Sequence, residues 1–353
     1  MIEKIKNISN EKMINLEYLK NSKLPLLLYG SGVYASIVKT FLESKNIKID
    51  YVVLDKNFYK PDLYFYNFPV RLIDDVINEQ SKVDVVFAFY KYRDEMVRLS
   101  SCEKVSKMFF FDGLMFPGFD KDFIETHYSI LEEFYFRLED ELSKEILVAF
   151  IEAKKTGCPD ALYQLNVKNE KQYFPSFIHL SENEFFVDCG AFDGDTSLIF
   201  DELTKGKGKI YAFECDKVNI EKLKKNTSHL KNIEIIEKGC WSEKTTLFFS
   251  NDGSSRSKIG DNGQFQIEVD SIDNVVQGEI SFIKMDIEGA ELAALEGAKN
   301  TILKYKPKLA ISVYHKQEDF ITIPQYILSL NKHYKLYLRN YGGVTDETIL
   351  YAI

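Results

Sequence analysis

The stretch FFVDCGAFDGDTS, Phe185 to Ser197, decides how the chain is read: a short apolar run ends in an acid, a glycine turn follows, and helical spacing begins. Strand, glycine loop and helix in that order form the place where an open parallel α/β sheet binds its ligand. The loop, Asp188, Cys189, Gly190, Ala191, Phe192, Asp193, Gly194, Asp195 and Thr196, holds three aspartates. Three carboxylates repel a pyrophosphate but suit a ligand carrying an ammonium and a sulfonium, as S-adenosylmethionine does. The next strand-like run, KIYAFE, ends in Glu214 with Cys215 behind it, and an acid there can serve ribose hydroxyls. Gly239 and Cys240, after the third such run, stand where an adenine ring would lie, with Trp241 either beside them or in the core. The plainer reading makes Asp193 or Asp195 a cap for the following helix, but a cap needs only one acid.

Outward from this loop the pattern repeats. Strands are expected at Phe185–Asp188, Ile210–Phe213, Ile233–Glu237, Phe282–Asp286, Leu309–Tyr314, Leu336–Asn340 and Thr348–Ala352. The segments between the first five have helical spacing and lengths suited to right-handed crossovers. The last two, separated only by Tyr341 to Glu347, read as an antiparallel hairpin. The first part of the chain follows the same logic, with strands at Leu24–Tyr29, Ile49–Leu54, Val83–Tyr90 and Met108–Phe111 and a helix at Val33–Ser44. Between the halves, Glu139 to Thr156 has acids at its start, lysines at its end, and Gly157 and Pro159 as stop signals. The expected architecture is α/β: a small Rossmann-like domain over residues 1–118, a helical bridge over 119–175, and a seven-stranded Rossmann-like sheet over 176–353.

The composition agrees with this and excludes other classes. With 353 residues, 45% hydrophobic and 28% charged, the chain is of ordinary globular type. Its 45 basic and 54 acidic side chains leave a net charge of −9, without the general attraction to phosphate backbones or anionic lipid that a nucleic-acid or membrane-surface protein carries. The charged N-terminal residues do not read as a secretory leader, and there is no apolar run long enough for a membrane span. Five cysteines without a C-x-x-C pair indicate neither a disulfide framework nor a zinc knuckle. A soluble, cytoplasmic protein is expected, and assembly as a homo-oligomer stays open.

The chemistry is expected at the ends of two later strands. Alternate side chains of an extended strand share a face, so Lys284, Asp286 and Glu288 tend to point together, against Ile283, Met285 and Ile287. Gly289 then permits a turn into a helix over Ala290–Lys304, with Leu292, Leu295 and Ala298 on its buried stripe and Glu291 complementing the helix dipole. The following strand delivers His315 to the same sheet edge. Methyl transfer from a sulfonium is an in-line displacement, so an enzyme must hold a nucleophile close to the methyl group and manage its proton. His315 is a sensible general base, with Asp286 as the other candidate, and Lys284 could orient the carboxylates. Asp286 with Glu288 could instead hold Mg²⁺. A strand-end histidine satisfied by a backbone partner is the plainer reading of His315. His127, His179, His229 and His333 lack paired ligands in sequence and read as structural, while the polar run Asn251–Gly263, with Ser255 and Arg256, reads as a loop near the acceptor.

Taken together, FVDCGAFDGDTS, IYAFE, FIKMDIEGAELAALEGA at Phe282–Ala298, KPKLAISVYHK at Lys306–Lys316, and the terminal YLRNYGG and ETILYAI resemble the FkbM family of class I methyltransferases. The resemblance covers roughly residues 140 to 353 and rests on the order of several separated motifs. It implies a seven-stranded methyltransferase domain, S-adenosylmethionine as cofactor, and O-methylation of a carbohydrate or glycan-linked acceptor. N-methylation of an amino group on a glycan modification is the nearest alternative. Gly30, Ser31, Gly32, Val33, Tyr34 and Ala35 fit G-x-G-x-x-A, with Asp55 ending the next strand. That pattern keeps open an NAD-dependent sugar-modifying oxidoreductase, and a binding module without catalysis is the third reading.

Overall fold

The computed structural model describes residues 11–89, 92–111, 114, 121–157, 159–167, 170–250, 258–259 and 265–353. These fall into two compact units. One comprises Met1–Ile124, Val148–Gln164 and Gly343–Thr345; the other comprises Glu125–Leu147, Leu165–Gly342 and Asp346–Ile353.

In the first unit, α1 (Glu11–Asn21) precedes β1 (Leu26–Tyr29), α2 (Val33–Ser44), β2 (Tyr51–Leu54), β3 (Tyr64–Phe65), β4 (Phe68–Leu72), α3 (Ile73–Glu79), β5 (Val83–Phe87), α4 (Arg93–Ser100) and β6 (Val105–Phe110). Runs such as LLLY and VDVVF are buried at every position, as befits strands covered on both faces. The sheet order is β3-β4-β2-β1-β5-β6, parallel except for β3 against β4. Sequence periodicity missed β3 and β4, which are short and carry Pro69. Gly30 turns at φ +133°, where a Cβ would meet the Ala88 carbonyl oxygen at 2.8 Å.

The stretch expected as a bridge forms α5 (Lys121–Arg137), α6 (Glu141–Thr156) and α7 (Asp160–Gln164). Residues 148–164 group with the first unit, whereas 125–147 and 165–342 group with the second.

The second unit contains β7 (Phe185–Cys189), α8 (Asp195–Leu203), β8 (Lys209–Phe213), α9 (Lys217–Asn226), β9 (Ile233–Ile236), β10 (Gly239–Cys240), β11 (Thr245–Ser250), β12 (Lys258–Ile259), β13 (Phe265–Asp270), α10 (Ile272–Val275), β14 (Phe282–Met285), α11 (Glu291–Glu296), α12 (Lys299–Tyr305), β15 (Lys308–Ser312), α13 (Asp319–Leu330), β16 (Leu336–Asn340) and β17 (Thr348–Ala352). Its main sheet has seven strands in the order β16-β17-β15-β14-β7-β8-β9. As expected, β16 and β17 form an antiparallel hairpin, and β17 also runs antiparallel to β15. The chain leaves β7 toward β8 and β9 and later returns on its other side as β14, so the topological switch point lies at the carboxyl ends of β7 and β14. Phe174, Phe186, Phe200 and Phe282 form the aromatic centre under the sheet, with the Phe186 and Phe200 rings stacked at 4.6 Å.

Two features differ from the sequence expectation. A second sheet, β10-β13-β11-β12, occupies the connection before β14; β12 falls inside the run taken for a polar loop, and Ser255 and Arg256 lie outside the described residues. The helix expected over Ala290–Lys304 is two helices, α11 and α12. They part at Gly297, where a Cβ would sit 2.0 Å from the Trp241 carbonyl oxygen. Leu292 is accordingly only half-buried, and Ala294 joins Leu295 and Ala298 in the core.

The outer edge of β16 is covered. Leu138 bridges to Leu336, the Glu139 amide donates to the Leu336 carbonyl at 2.9 Å, and the Ser143 hydroxyl accepts from the Leu338 amide at 2.9 Å. Asp140 pairs with Arg339 at 2.6 Å. Among the described residues no helix is long and apolar enough to cross a membrane.

Candidate active site

At the end of β7 the chain must turn beneath β14, and Gly190 makes this feasible. Its φ is +80°, and a Cβ would be 2.0 Å from the Asp286 carbonyl oxygen. The Gly190 and Ala191 amides both donate to the Phe213 carbonyl, at 3.1 and 2.9 Å, which fastens the loop to β8. Gly194, at φ +91°, caps α8 by backbone alone. Asp195 lies in the first turn and accepts from the Thr196 amide at 2.6 Å; Asp193 offers its backbone carbonyl to Asn226. Neither aspartate is therefore a side-chain cap of the kind the plainer reading required.

Asp188 lies near the end of β7, beneath the loop. It is fully buried, with one oxygen accepting from the Ser197 hydroxyl at 2.8 Å and the other 3.1 Å from the Lys284 ammonium. It shapes the loop from beneath. Lys284 also donates to the Gly190 carbonyl at 2.7 Å. Burial works against its charge, but Asp188 and Asp286 together raise its pKa above the ordinary lysine value.

Glu214 is nearly buried and accepts three backbone amides: Phe192 at 2.9 Å, Cys215 at 2.9 Å and Asp216 at 2.8 Å. Burial raises its pKa, and these amides hold part of that rise back. Its carboxylate thus sits at the lip of the glycine loop, next to the exposed Phe192 ring. Cys215 is half-buried, its thiol pushed up to about 11 by burial and by Glu214. The Cys240 and Cys189 sulfurs are 2.8 Å apart in the interior, and burial raises the Cys240 thiol well above its usual value. Gly239 lies beside Cys215 and Val269. Trp241 is half-buried, neither a core aromatic nor fully exposed.

The second cluster forms where β14 and β15 end side by side. Asp286, Glu288 and His315 are brought together with Lys284 acting on Asp286, but β14 ends at Met285 and β15 at Ser312, so the turns beyond the strands, rather than strand alternation, place all of them except Lys284. His315 Nε2 is 3.5 Å from Asp286 and 3.6 Å from Glu288. Glu288 itself lies past the strand, at φ +55°, with its side chain largely in solvent. His315 is buried, so its partners set its charge. Burial alone would lower its pKa; Glu291, then Asp286 and Glu288, reverse this and raise it to about 9. Asp286 is held below the ordinary carboxylate range despite burial, chiefly by Lys284 and His315 and by a hydrogen bond from the Tyr173 hydroxyl at 2.7 Å.

Three members of this cluster escaped the sequence reading. Tyr173, at φ +69°, comes from the segment assigned to the bridge. Glu347, at φ +58°, precedes β17, pairs with Gln172, and has its pKa raised by burial and by Asp286. Glu291 is fully buried rather than a surface partner of the helix dipole: Oε1 accepts from the Ile287 amide at 2.9 Å and lies 2.9 Å from His315 Nδ1. No periodicity marks any of the three; only left-handed backbone, which non-glycine residues rarely adopt, singles out two of them.

The donors do not suit Mg²⁺. One Asp286 oxygen takes the Tyr173 hydroxyl, the other faces Tyr314 and His315, and Lys284 and the imidazole already compensate its charge. A hard cation that demands oxygen ligands and retained water would have to displace two resident cations. His179, His229 and His333 are exposed and His127 is half-buried.

A parallel sheet with a hairpin at one edge, a glycine loop after β7 and an acid after β8 define the class I methyltransferase fold. Residues 188–342 match the family described as the methyltransferase FkbM domain. Among solved structures, a methyltransferase FkbM from Methylobacillus flagellatus superposes with a TM-score of 0.74 at 23% identity, covering 100% of this chain and 92% of that one. Fibrillarin from Aeropyrum pernix, solved with natively bound S-adenosyl-L-methionine, gives a TM-score of 0.37 at 12% identity over 52% of this chain and 72% of its own. An rRNA methylase from Streptococcus thermophilus gives 0.33 at 18% identity over 49% and 87%. No curated protein sequence matches the chain.

Proposed function

We propose that the protein is an S-adenosylmethionine-dependent methyltransferase that O-methylates a hydroxyl of a carbohydrate or glycan-linked acceptor in the cytoplasm. The observation that carries this reading is the pairing of two acidic clusters at one switch point, within the residues that match the methyltransferase FkbM domain. The cofactor would lie along Gly190–Thr196, its ribose at Glu214 and its adenine toward Cys215, Gly239 and Cys240. Asp193 and Asp195 supply negative charge for its cationic end, while Asp188 keeps the loop in shape. The acceptor would meet the methyl group at Asp286, Glu288 and His315. Bound there, the cofactor supplies an activated methyl group; the chain's own residues orient the acceptor and take its proton.

Calorimetry with S-adenosylmethionine and NAD side by side is the direct test, followed by a search for a methyl-sized mass gain in cellular glycans. Binding of NAD alone would sink the reading. Glu214→Ala should weaken S-adenosylmethionine binding at least about 10-fold, the loss expected for a charged hydrogen-bonding partner; equal affinity would place the cofactor elsewhere.

A further inference from the structure

Glu291 is a carboxylate in the first turn of α11, fully buried, with Oε2 making no hydrogen bond. An ionised group in that position is costly unless something compensates it. What faces it is His315 Nδ1, an ion-pair contact at 2.9 Å in which Nδ1, like Oε2, makes no aligned hydrogen bond, while the same Oε1 accepts from the Ile287 amide and so ties the turn after β14 to the helix. On the other side of the ring, Nε2 points at Asp286 and Glu288 at 3.5 and 3.6 Å, beyond the usual hydrogen-bond length. The Tyr314 ring lies against the imidazole with centroids 4.1 Å apart. Asp319 of α13 and Glu347 before β17 also act on the ring electrostatically. Of these carboxylates, Glu291 is the one within hydrogen-bond distance.

We propose that Glu291 is a positioning residue: it holds Nδ1 of His315, and so turns Nε2 toward the acceptor edge between Asp286 and Glu288. This rests on the methyltransferase reading for its purpose, though not for its geometry. A ring fixed at one nitrogen presents the other with a defined tautomer and direction. Without the carboxylate the imidazole could flip, and proton transfer at Nε2 would lose its alignment.

Two measurements on the full chain test this. Imidazole proton–nitrogen correlation on histidine-labelled protein above about pH 9, where the ring is neutral, with the His315 signal identified by its loss in His315→Gln, should show the remaining proton on Nδ1. In Glu291→Gln the ring should give up its charge at a pH lower by about one unit or more, whereas Glu291→Asp should stay nearer the parent. A bare Nδ1 in the parent, or a Glu291→Gln ring that titrates unchanged, overturns the proposal. Methyl transfer from tritiated S-adenosylmethionine to a polysaccharide extract gives the second readout. Glu291→Gln should lower turnover about 10- to 100-fold and add nothing once His315→Gln is present. Additive losses would mean that Glu291 does not act through His315. If the parent transfers no methyl group, the functional reading fails while the nitrogen spectrum still judges the positioning.

Discussion

An imidazole ordinarily near ~6.5 becomes a cation at neutral pH when it is buried among Glu291, Asp286 and Glu288, and His315 is such a group. Its folded pKa, about 9, lies above the unfolded value. It therefore contributes stability that is complete below about pH 6.5 and is lost as pH rises through about 9. The contribution is on the order of 3 kcal/mol. Urea midpoints should fall over that window in the parent and much less in His315→Gln. Asp319, pushed up to about 7 by burial and by Glu291, acts in a lower window: its raised carboxyl favours the fold below about pH 4, and that help is gone above about 7. The two can thus be told apart. For catalysis, a base with this pKa must first lose its own proton, so turnover should climb with pH toward about 9. A pH–rate limb near ~6.5 would mean that the bound acceptor or cofactor displaces Glu291 or Asp286 from the ring.

The strand ends are where residues become a site, and the packing below them fixes those ends. Phe186 is fully buried in β7 and meets Phe174, Phe200 and Phe282; Phe186→Ala should cost about 3–5 kcal/mol in chemical denaturation. Gly190→Ala combines a left-handed backbone with a Cβ driven into the Asp286 carbonyl and should cost about 2–4 kcal/mol. Wild-type stability there would mean that β7 and β14 can separate at this point. The seven strands of the main sheet were legible because each is an apolar run bounded by turns, and Lys284 followed from strand alternation; Asp286, Glu288 and His315 reach the same edge from the turns after β14 and β15. The second sheet was not, since β10 and β12 are two residues each and derive their identity from pairing with β13 and β11. The partners of Asp188 could not be read from the sequence, because an acid at a strand end looks alike whether it faces a ligand or also meets a lysine from the neighbouring strand. Tyr173 and Glu347 reach Asp286 from far along the chain, a proximity that local patterns do not encode.

At the scale of the molecule, every group of the candidate site belongs to the second compact unit. A fragment beginning at Glu125 should retain S-adenosylhomocysteine binding by calorimetry. It should also be less soluble than the full chain, because Phe150 and Ile151 are buried residues that group with the first unit and lose their cover. A folded fragment without binding would show that the first unit takes part in the site. The covered side of β16 has a bearing on aggregation. A bare edge strand is a template on which a second chain can lay its own strand, and the seven-stranded sheet would offer one at β16 were it not for residues 138–143. Leu138 and Glu139 occupy its backbone groups, and Asp140 and Ser143 clamp Arg339 and Leu338 in place. Asp140→Ala with Ser143→Ala should loosen that cover and, on mild warming, convert a clear solution into one that binds thioflavin and scatters light. The ion pair at Arg339 would then be a guard against fibre growth, protecting the cell from the sheet as much as the sheet from water.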